Sequence, residues 1–439
     1  MQKRSLASAM ARVFLAGEAS KEAIIARSSA LLGRRWRWLS ALAGRYMASF
    51  DGGVRPRHRD VVRFLSEDRG FHSAWARYRD SLEVERWLGE PQRMQPVAAA
   101  EAWDVPAIES TGALADWLEL TASELEWFAD LKGLAAHGRL SHYHYRPLAK
   151  SFGSVRLIEA PKPRLKELQR RILREILEKI PLHPAVHGFR PGHSIATFAA
   201  PHAGCRVVLR MDLKDFFPSF SGARIQAFFR TIGYPEPVAD LLGGLSTNAA
   251  PRSAWDEAKR GADPRLLAAA CELYRRPHLP QGAPTSPALA NLCAYRLDCR
   301  LAGLARSAGA AYTRYADDLA FSGDATLERH IERFADHVAA VLIEESFAVH
   351  HRKTRIMRQG VRQYLAGLVV NSHVNALRPD FDRLKATLTN CVRQGPASQN
   401  RDGRPSFRAH LEGRIAFVSM INRARGSKLR KIFERIEWE

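Results

Sequence analysis

"TRYADDLAFSG" (residues 313–323) sets Asp317 and Asp318 side by side between two short apolar runs. Adjacent carboxylates repel one another unless positive charge lies between them. Aspartate also favours turns, so an acidic hairpin turn is the plain alternative. The neighbouring segments bear on the choice. "CRVVLRMDLKDFFPSF" (205–220) predicts a β-branched strand running into Asp212, with a turn at Pro218. "SPALANLCAYRLDCRLAGLA" (286–305) predicts a helix with Pro287 near its start, and "LERHIERFADHVAAVLIEESF" (327–347) predicts another. Between them, "AAYTRYADDLAFSG" (310–323) reads as strand, turn, strand. This order fits an α+β sheet with helices packed on one face. Asp212 then ends one strand beside the turn of Asp317 and Asp318, and three carboxylates converge.

Such a set is a hard-oxygen ligand group for two Mg²⁺ ions, which keep several waters and complete their shells from substrate phosphates. Two ions can activate a primer hydroxyl and stabilise leaving pyrophosphate. On this reading the like charges are tolerable because metal sits between them.

The outer segments supply the organisation. Residues 1–130 read as mostly helical, as in "SALLGRRWRWLSALAGRYMASF" (29–50), and residues 1–60 hold twelve Lys/Arg against four Asp/Glu. Arg34, Arg35 and Arg37 interleave with Trp36 and Trp38, a pattern for binding phosphates and stacking on bases. The alternative is a helix whose tryptophans pack in a core while its arginines are solvated. "HYHYRPLAKSFGSVRLIEAP" (142–161) predicts a β-hairpin, and "PRLKELQRRILREILEKI" (163–180) a basic amphipathic helix. "GARIQAFFRTIG" (222–233) predicts a helix, and residues 246–276, with Pro251, Pro264 and many charges, an insertion or loop. "RQYLAGLVVNSHVN" (362–375) predicts a further hairpin, and beyond Pro379 the chain reads as helical and basic. The expected domains are 1–130, 131–370 and 371–439.

Composition narrows the partners. The chain's 439 residues carry 67 Lys+Arg against 46 Asp+Glu, a net charge of +21, which favours a polyanion such as nucleic acid. An anionic membrane surface competes, but no apolar run approaches the ~20 residues of a membrane span. Arg12 interrupts the apolar part of the N-terminus, which argues against a signal peptide. Five scattered cysteines without a C-x-x-C pair argue against a zinc module or a secreted disulfide framework, so free thiols in a cytoplasmic protein are expected.

"RYADDLAFS" resembles the Y-x-D-D box of reverse transcriptases, "MDLKDFFPSF" their first metal-binding motif, and "LPQGAPTSPALANL" (279–292) their nucleotide-pocket motif. "HGFRPGHSIATFAAPH" (187–202) and "LAGLVVN" (365–371) point to bacterial retron reverse transcriptases. The resemblance covers about residues 140–425, with the motifs in the family's order. It implies a right-hand polymerase of fingers, palm and thumb, preceded by the N-terminal helical domain. It implies Asp212, Asp317 and Asp318 as metal ligands, and Phe217 as the bulky residue closing the pocket against a ribose 2′-hydroxyl. Gln281 would touch the incoming sugar, with Gly282 allowing close backbone approach. Arg156 and Lys353 would meet the triphosphate, Lys353 with general-acid action on pyrophosphate as its sharper role.

Two departures stand out. "FAAPH" has Phe198 where the family has Asn in N-A-x-x-H, with Ala199 and His202 kept, and "LAG" replaces V-T-G through Leu365 and Ala366. Because the family associates both motifs with its own structured RNA, Phe198 and His202 join Arg34, Arg35 and Trp36 as RNA-binding candidates, Phe198 by stacking on an unpaired base. The alternative is that Phe198 packs against the palm helices and "LAG" is a tolerated strand variant. The resemblance implies a dedicated noncoding RNA as template and primer, deoxynucleotides as substrates, a branched RNA–DNA product used against phage, and room for a separate effector protein. The alternatives are another prokaryotic defence reverse transcriptase, including a template-independent one, and a non-catalytic RNA-binding protein with a polymerase fold. The three intact aspartates speak against the last.

Overall fold

The alternating segment 142–161 produces the expected antiparallel hairpin, Tyr143–Ala149 (β1) against Val155–Pro161 (β2), with Leu148 opposite Arg156. The computed structural model describes residues 2–50, 55–87, 92–134, 140–149, 155–260 and 262–438, so the turn of this hairpin lies outside the described residues. The chain divides into two units, one of residues 1–181 and 217–293, the other of 182–216 and 294–439.

The first unit begins with helices Lys3–Leu15, Lys21–Leu31, Trp38–Ser49, His58–Glu67 and Arg69–Tyr78. Isolated helices this short are marginal in water. They hold because Leu6, Met10, Phe14, Leu42 and Phe71 share one core, each burial contributing roughly 1.5–3 kcal/mol. Residues 29–50 are not one helix. The chain leaves Leu31, turns through a left-handed Gly33 (φ +71°) and restarts at Trp38.

Residues 246–276 are also not a loop. A 3₁₀ segment Arg252–Arg260 leads to helix Pro264–Tyr274, whose first-turn Pro264 and Asp263 cap start the helix rather than break it. Trp255 and Tyr274 meet edge to face at 5.2 Å and pack with Val155 and Leu157 of β2.

The second unit is built on Val207–Lys214 (β3), paired antiparallel with Asp318–Gly323 (β5), which in turn pairs with Ala311–Tyr315 (β4). Ala348–Val349 (β6) and Arg355–Arg358 (β7) also pair with β3. Helix Ala325–Glu344 buries Leu327, Ile331, Phe334, Val338 and Leu342, a stripe at three- and four-residue spacing. The helix expected over 286–305 is two, Ser286–Cys293 and Tyr295–Ser307, divided at Ala294.

A small sheet of Tyr364–Leu365 (β8), Leu368–Val369 (β9) and Asn375–Ala376 (β10) follows. Helices Arg378–Gln394, Phe407–Ile421 and Arg423–Phe433 then close on a core of their own around Leu388, Ile415 and Leu429. Among the described residues no helix is long and apolar enough to cross a membrane.

Candidate active site

In the second unit, register brings the carboxylates together. Asp212 on β3 lies opposite Asp318 on β5, and Tyr315 opposite Asp318 leaves Ala316 and Asp317 as the turn between β4 and β5. Leu213 N–H donates to the Asp317 carbonyl at 2.9 Å, tying the turn to β3. Ala316 has φ +55°, a left-handed conformation that costs a non-glycine residue about 1–2 kcal/mol. The surroundings hold it there. Arg314 Nη1 donates to the Ala316 carbonyl at 3.2 Å, and the backbone of Gly188 lies so close that a Cβ there would sit 2.6 Å from the Ala316 nitrogen. Arg314 is itself fixed by a fully buried, two-pronged ion pair with Asp298, both bonds 2.7 Å.

Cations reach two of the three aspartates. Lys353 Nζ lies 2.9 Å from both Asp212 oxygens, and Arg210 donates to Asp318 Oδ1 from Nε (2.9 Å) and Nη2 (2.7 Å). Asp317 makes no ion pair among the described residues. Burial first, then the Asp212 and Asp318 charges, raise its pKa above the usual carboxylate range. Burial also raises that of Asp318, against the opposing pull of Arg210.

No group of three or more His, Cys, Asp and Glu side chains among the described residues is assembled as a metal cage. The donor chemistry nevertheless suits a hard divalent ion: clustered carboxylates, one of which makes no ion pair among the described residues, in partial burial. Metal ions are the positive charge expected among the aspartates; the described residues place side-chain cations, Lys353 and Arg210, against Asp212 and Asp318. Lys353, expected at the triphosphate, faces Asp212 here.

The first unit carries the other expected pocket residues. Glu159 N–H on β2 donates to the Gln281 carbonyl at 2.8 Å. Gly282 has φ +134°, and a Cβ there would lie 2.9 Å from the Glu159 carbonyl oxygen, so only glycine allows this approach. Gln281 Oε1 is buried and has no hydrogen-bond partner among the described residues. Arg156 is exposed on β2 and Phe217 is half-buried.

The RNA-binding candidates divide. Arg34 and Arg35 are exposed. Trp36 is buried, with the Arg34 guanidinium 3.6 Å above its ring and Tyr78 tilted against it at 4.8 Å, so it offers no face to a base. Phe198 is wholly buried against Tyr315 and His202, at 5.8 and 6.2 Å between ring centroids. The expected base stacking by Phe198 therefore does not hold. It follows a capped helix start at Ser194 and faces the sheet core.

His202 is likewise internal. Thr313 Oγ1 donates to the Phe198 carbonyl (2.9 Å), so it accepts from His202 Nε2 (2.7 Å), which leaves Nδ1 to accept from Ser322 Oγ (2.7 Å). This is a neutral imidazole, and burial together with the nearby His187 pushes its pKa down to about 3.

Sequence reasoning passed over Arg210, Arg314, Asp298, Glu159 and His278. A signal existed for two of them. Arg210 follows the apolar run "VVL" (207–209), Arg314 sits inside the strand-forming "AYTRY", and Arg210 stands two residues before Asp212, on the same face.

Comparison with known proteins places this sheet and carboxylate turn in a polymerase class: residues 148–366 match the family of reverse transcriptases (RNA-dependent DNA polymerases). Among relatives, the chain is 43% identical over 294 residues to the retron Mx65 reverse transcriptase of Myxococcus xanthus, covering 66% of this chain and 64% of that one. It is 38% identical over 372 residues to the retron Mx162 reverse transcriptase of the same organism, covering 81% and 71%. To the retron Ec86 reverse transcriptase of Escherichia coli it is 28% identical over 284 residues, covering 64% and 77%. The chain belongs to the bacterial retron-type reverse transcriptases. It spans less than two thirds of the Mx65 relative's length, 64%.

Proposed function

We propose that this chain extends DNA on an RNA template, with Asp212, Asp317 and Asp318 holding Mg²⁺. The observation that carries the reading is the cross-strand opposition of Asp212 and Asp318, with Asp317 beside them making no ion pair among the described residues. Two bound ions would supply Lewis-acid activation of the primer hydroxyl and charge stabilisation at the leaving group. Lys353 and Arg210 keep Asp212 and Asp318 in place and partly neutralised. Gln281 Oε1 accepts from a sugar hydroxyl, Arg156 binds the triphosphate, and Phe217 disfavours a 2′-hydroxyl.

In this reading residues 1–130 form an accessory helical domain, 131–370 fingers and palm, and 371–439 the thumb. The template and primer are a dedicated structured noncoding RNA, the product is a branched RNA–DNA, and the biological role is phage defence with a separate effector. The names of the Myxococcus xanthus and Escherichia coli relatives support the retron assignment.

Purifying the protein with its bound nucleic acid, and sequencing that nucleic acid, tests the assignment. A single RNA encoded beside the gene and covalently joined to DNA is expected; unrelated cellular RNA would overturn the retron reading. Deoxynucleotide addition to an RNA-templated primer should require Mg²⁺, and Asp317→Asn should abolish it while RNA binding survives.

A further inference from the structure

We infer that Glu159, His278 and Asn248 form a buried positioning node that sets the nucleotide pocket, an inference resting on the pocket roles proposed above for Arg156, Phe217, Gln281 and Gly282. Glu159 and His278 are essentially inaccessible, at 0% and 1% side-chain exposure, and their Oε2 and Nε2 atoms lie 2.9 Å apart. His278 Nδ1 lies 2.7 Å from the Arg276 carbonyl, which can only accept, so Nδ1 carries a proton. A single further proton then links Nε2 to Oε2. The other Glu159 oxygen accepts from Asn248 Nδ2 at 2.7 Å, and the same amide lies 3.2 Å from the Tyr145 hydroxyl on β1.

A buried carboxylate is costly unless its oxygens are bonded, so this network fixes the geometry of everything attached to it. Three attachments matter. Arg156 lies three residues before Glu159 on β2. The Glu159 backbone holds Gln281 and crowds Gly282. His278 and Asn248 exchange both backbone hydrogen bonds at 3.0 Å, and Gly222 N–H, at the start of the helix that follows Phe217, donates to the Pro277 carbonyl at 2.7 Å. One node therefore joins the strand of Arg156, the loop of Gln281 and Gly282, and the segment after Phe217. Its members need not touch the nucleotide.

Steady-state extension by purified full-length variants tests this. Glu159→Ala should raise KM for deoxynucleotide about tenfold and weaken deoxy-over-ribo preference, with template–primer affinity within about twofold of the parent. Glu159→Gln should restore most of both, because its amide accepts from Asn248 and donates to an Nε2 lacking a proton. Should Glu159→Ala fail to fold, Asn248→Ala, which leaves the Glu159–His278 link intact, carries the test with an about threefold rise in KM. A purely structural role would lower the melting temperature and the active fraction but leave KM and discrimination unchanged; that result in a folded variant overturns the inference. Phe217→Val serves as the control. If it leaves discrimination unmoved, the pocket reading itself fails; if it shifts discrimination while folded Glu159→Ala does not, only the positioning node fails.

Discussion

At the residue scale, burial decides what each titratable group does. His202 has a pKa of about 3 in the folded chain against an ordinary 6.5, so between those values the unfolded chain binds the extra proton. The stabilising contribution of neutral His202 is therefore complete above pH 6.5 and is lost as pH falls towards 3. His187, pushed down to about 4 mainly by burial, acts in the same sense. Denaturant melts between pH 7 and 4.5 should show stability falling with acid, and His202→Gln should reduce the slope by up to about 1.4 kcal/mol per pH unit. An unchanged slope would mean that the Ser322 and Thr313 contacts do not persist in solution. Asp317 has the opposite sign. Its raised pKa means that ionisation costs the fold, so stability is greatest below the unfolded carboxylate pKa and declines as pH rises through the folded one. Without added metal, Asp317→Asn should melt no lower than the parent at pH 7. A clear drop in melting temperature would show that the Asp317 charge is compensated by something other than metal.

At the scale of elements, the strands and helices show what sequence can and cannot reveal. The β4–β5 hairpin was legible because "AYTRY" and "LAFSG" flank Ala316 and the polar pair Asp317 and Asp318; so was the β1–β2 alternation. Boundaries set by one backbone angle were not legible: Gly33 and Ala294 each divide what periodicity reads as one helix. Nor were side-chain partners distant in sequence, such as Arg314 with Asp298 or Glu159 with His278, because pairing depends on packing and not on spacing. The aspartates themselves were legible, while Phe198 misled because an aromatic beside a motif reads alike whether it faces RNA or core. In the β8–β9 turn, Ala366 (φ +45°) and Gly367 (φ +91°) are both left-handed, the requirement of a tight hairpin favouring Asn-Gly. Replacing Ala366 with Asn should stabilise the chain by about 0.5–1 kcal/mol in a denaturant titration. Arg314→Met should do the reverse, costing about 3–5 kcal/mol by stranding buried Asp298. Arg314→Met combined with Asp298→Leu should recover much of that stability but not extension, since the Ala316 carbonyl still lacks its donor. Recovery of both would reduce the pair to packing.

Across the whole molecule, charge is unevenly placed. Residues 371–439 hold fourteen Lys/Arg against seven Asp/Glu, and residues 1–60 twelve against four, so the two ends carry most of the net +21. Many cations elsewhere are already paired, as Arg210 is with Asp318 and Arg300 with Glu345, and paired cations have little left for phosphate. On helix Arg423–Phe433, by contrast, Arg423, Lys428 and Lys431 are exposed and make no ion pair among the described residues. If RNA is held by its backbone, binding releases counterions and the affinity falls linearly on logarithmic axes as salt rises, by roughly 0.7–0.9 per phosphate neutralised. RNA affinity measured by anisotropy should thus drop at least about 100-fold between 50 and 200 mM salt. Changing Arg423, Lys428 and Lys431 together to Gln should flatten the slope by about 2–3 and weaken binding evenly across RNA sequences, with the melting temperature unchanged. A parent protein whose affinity ignores salt would mean that the net charge does not hold the RNA. A triple variant with the parent's slope would move the contact to other cations, the exposed Arg34 and Arg35 near the N-terminus being the next to neutralise.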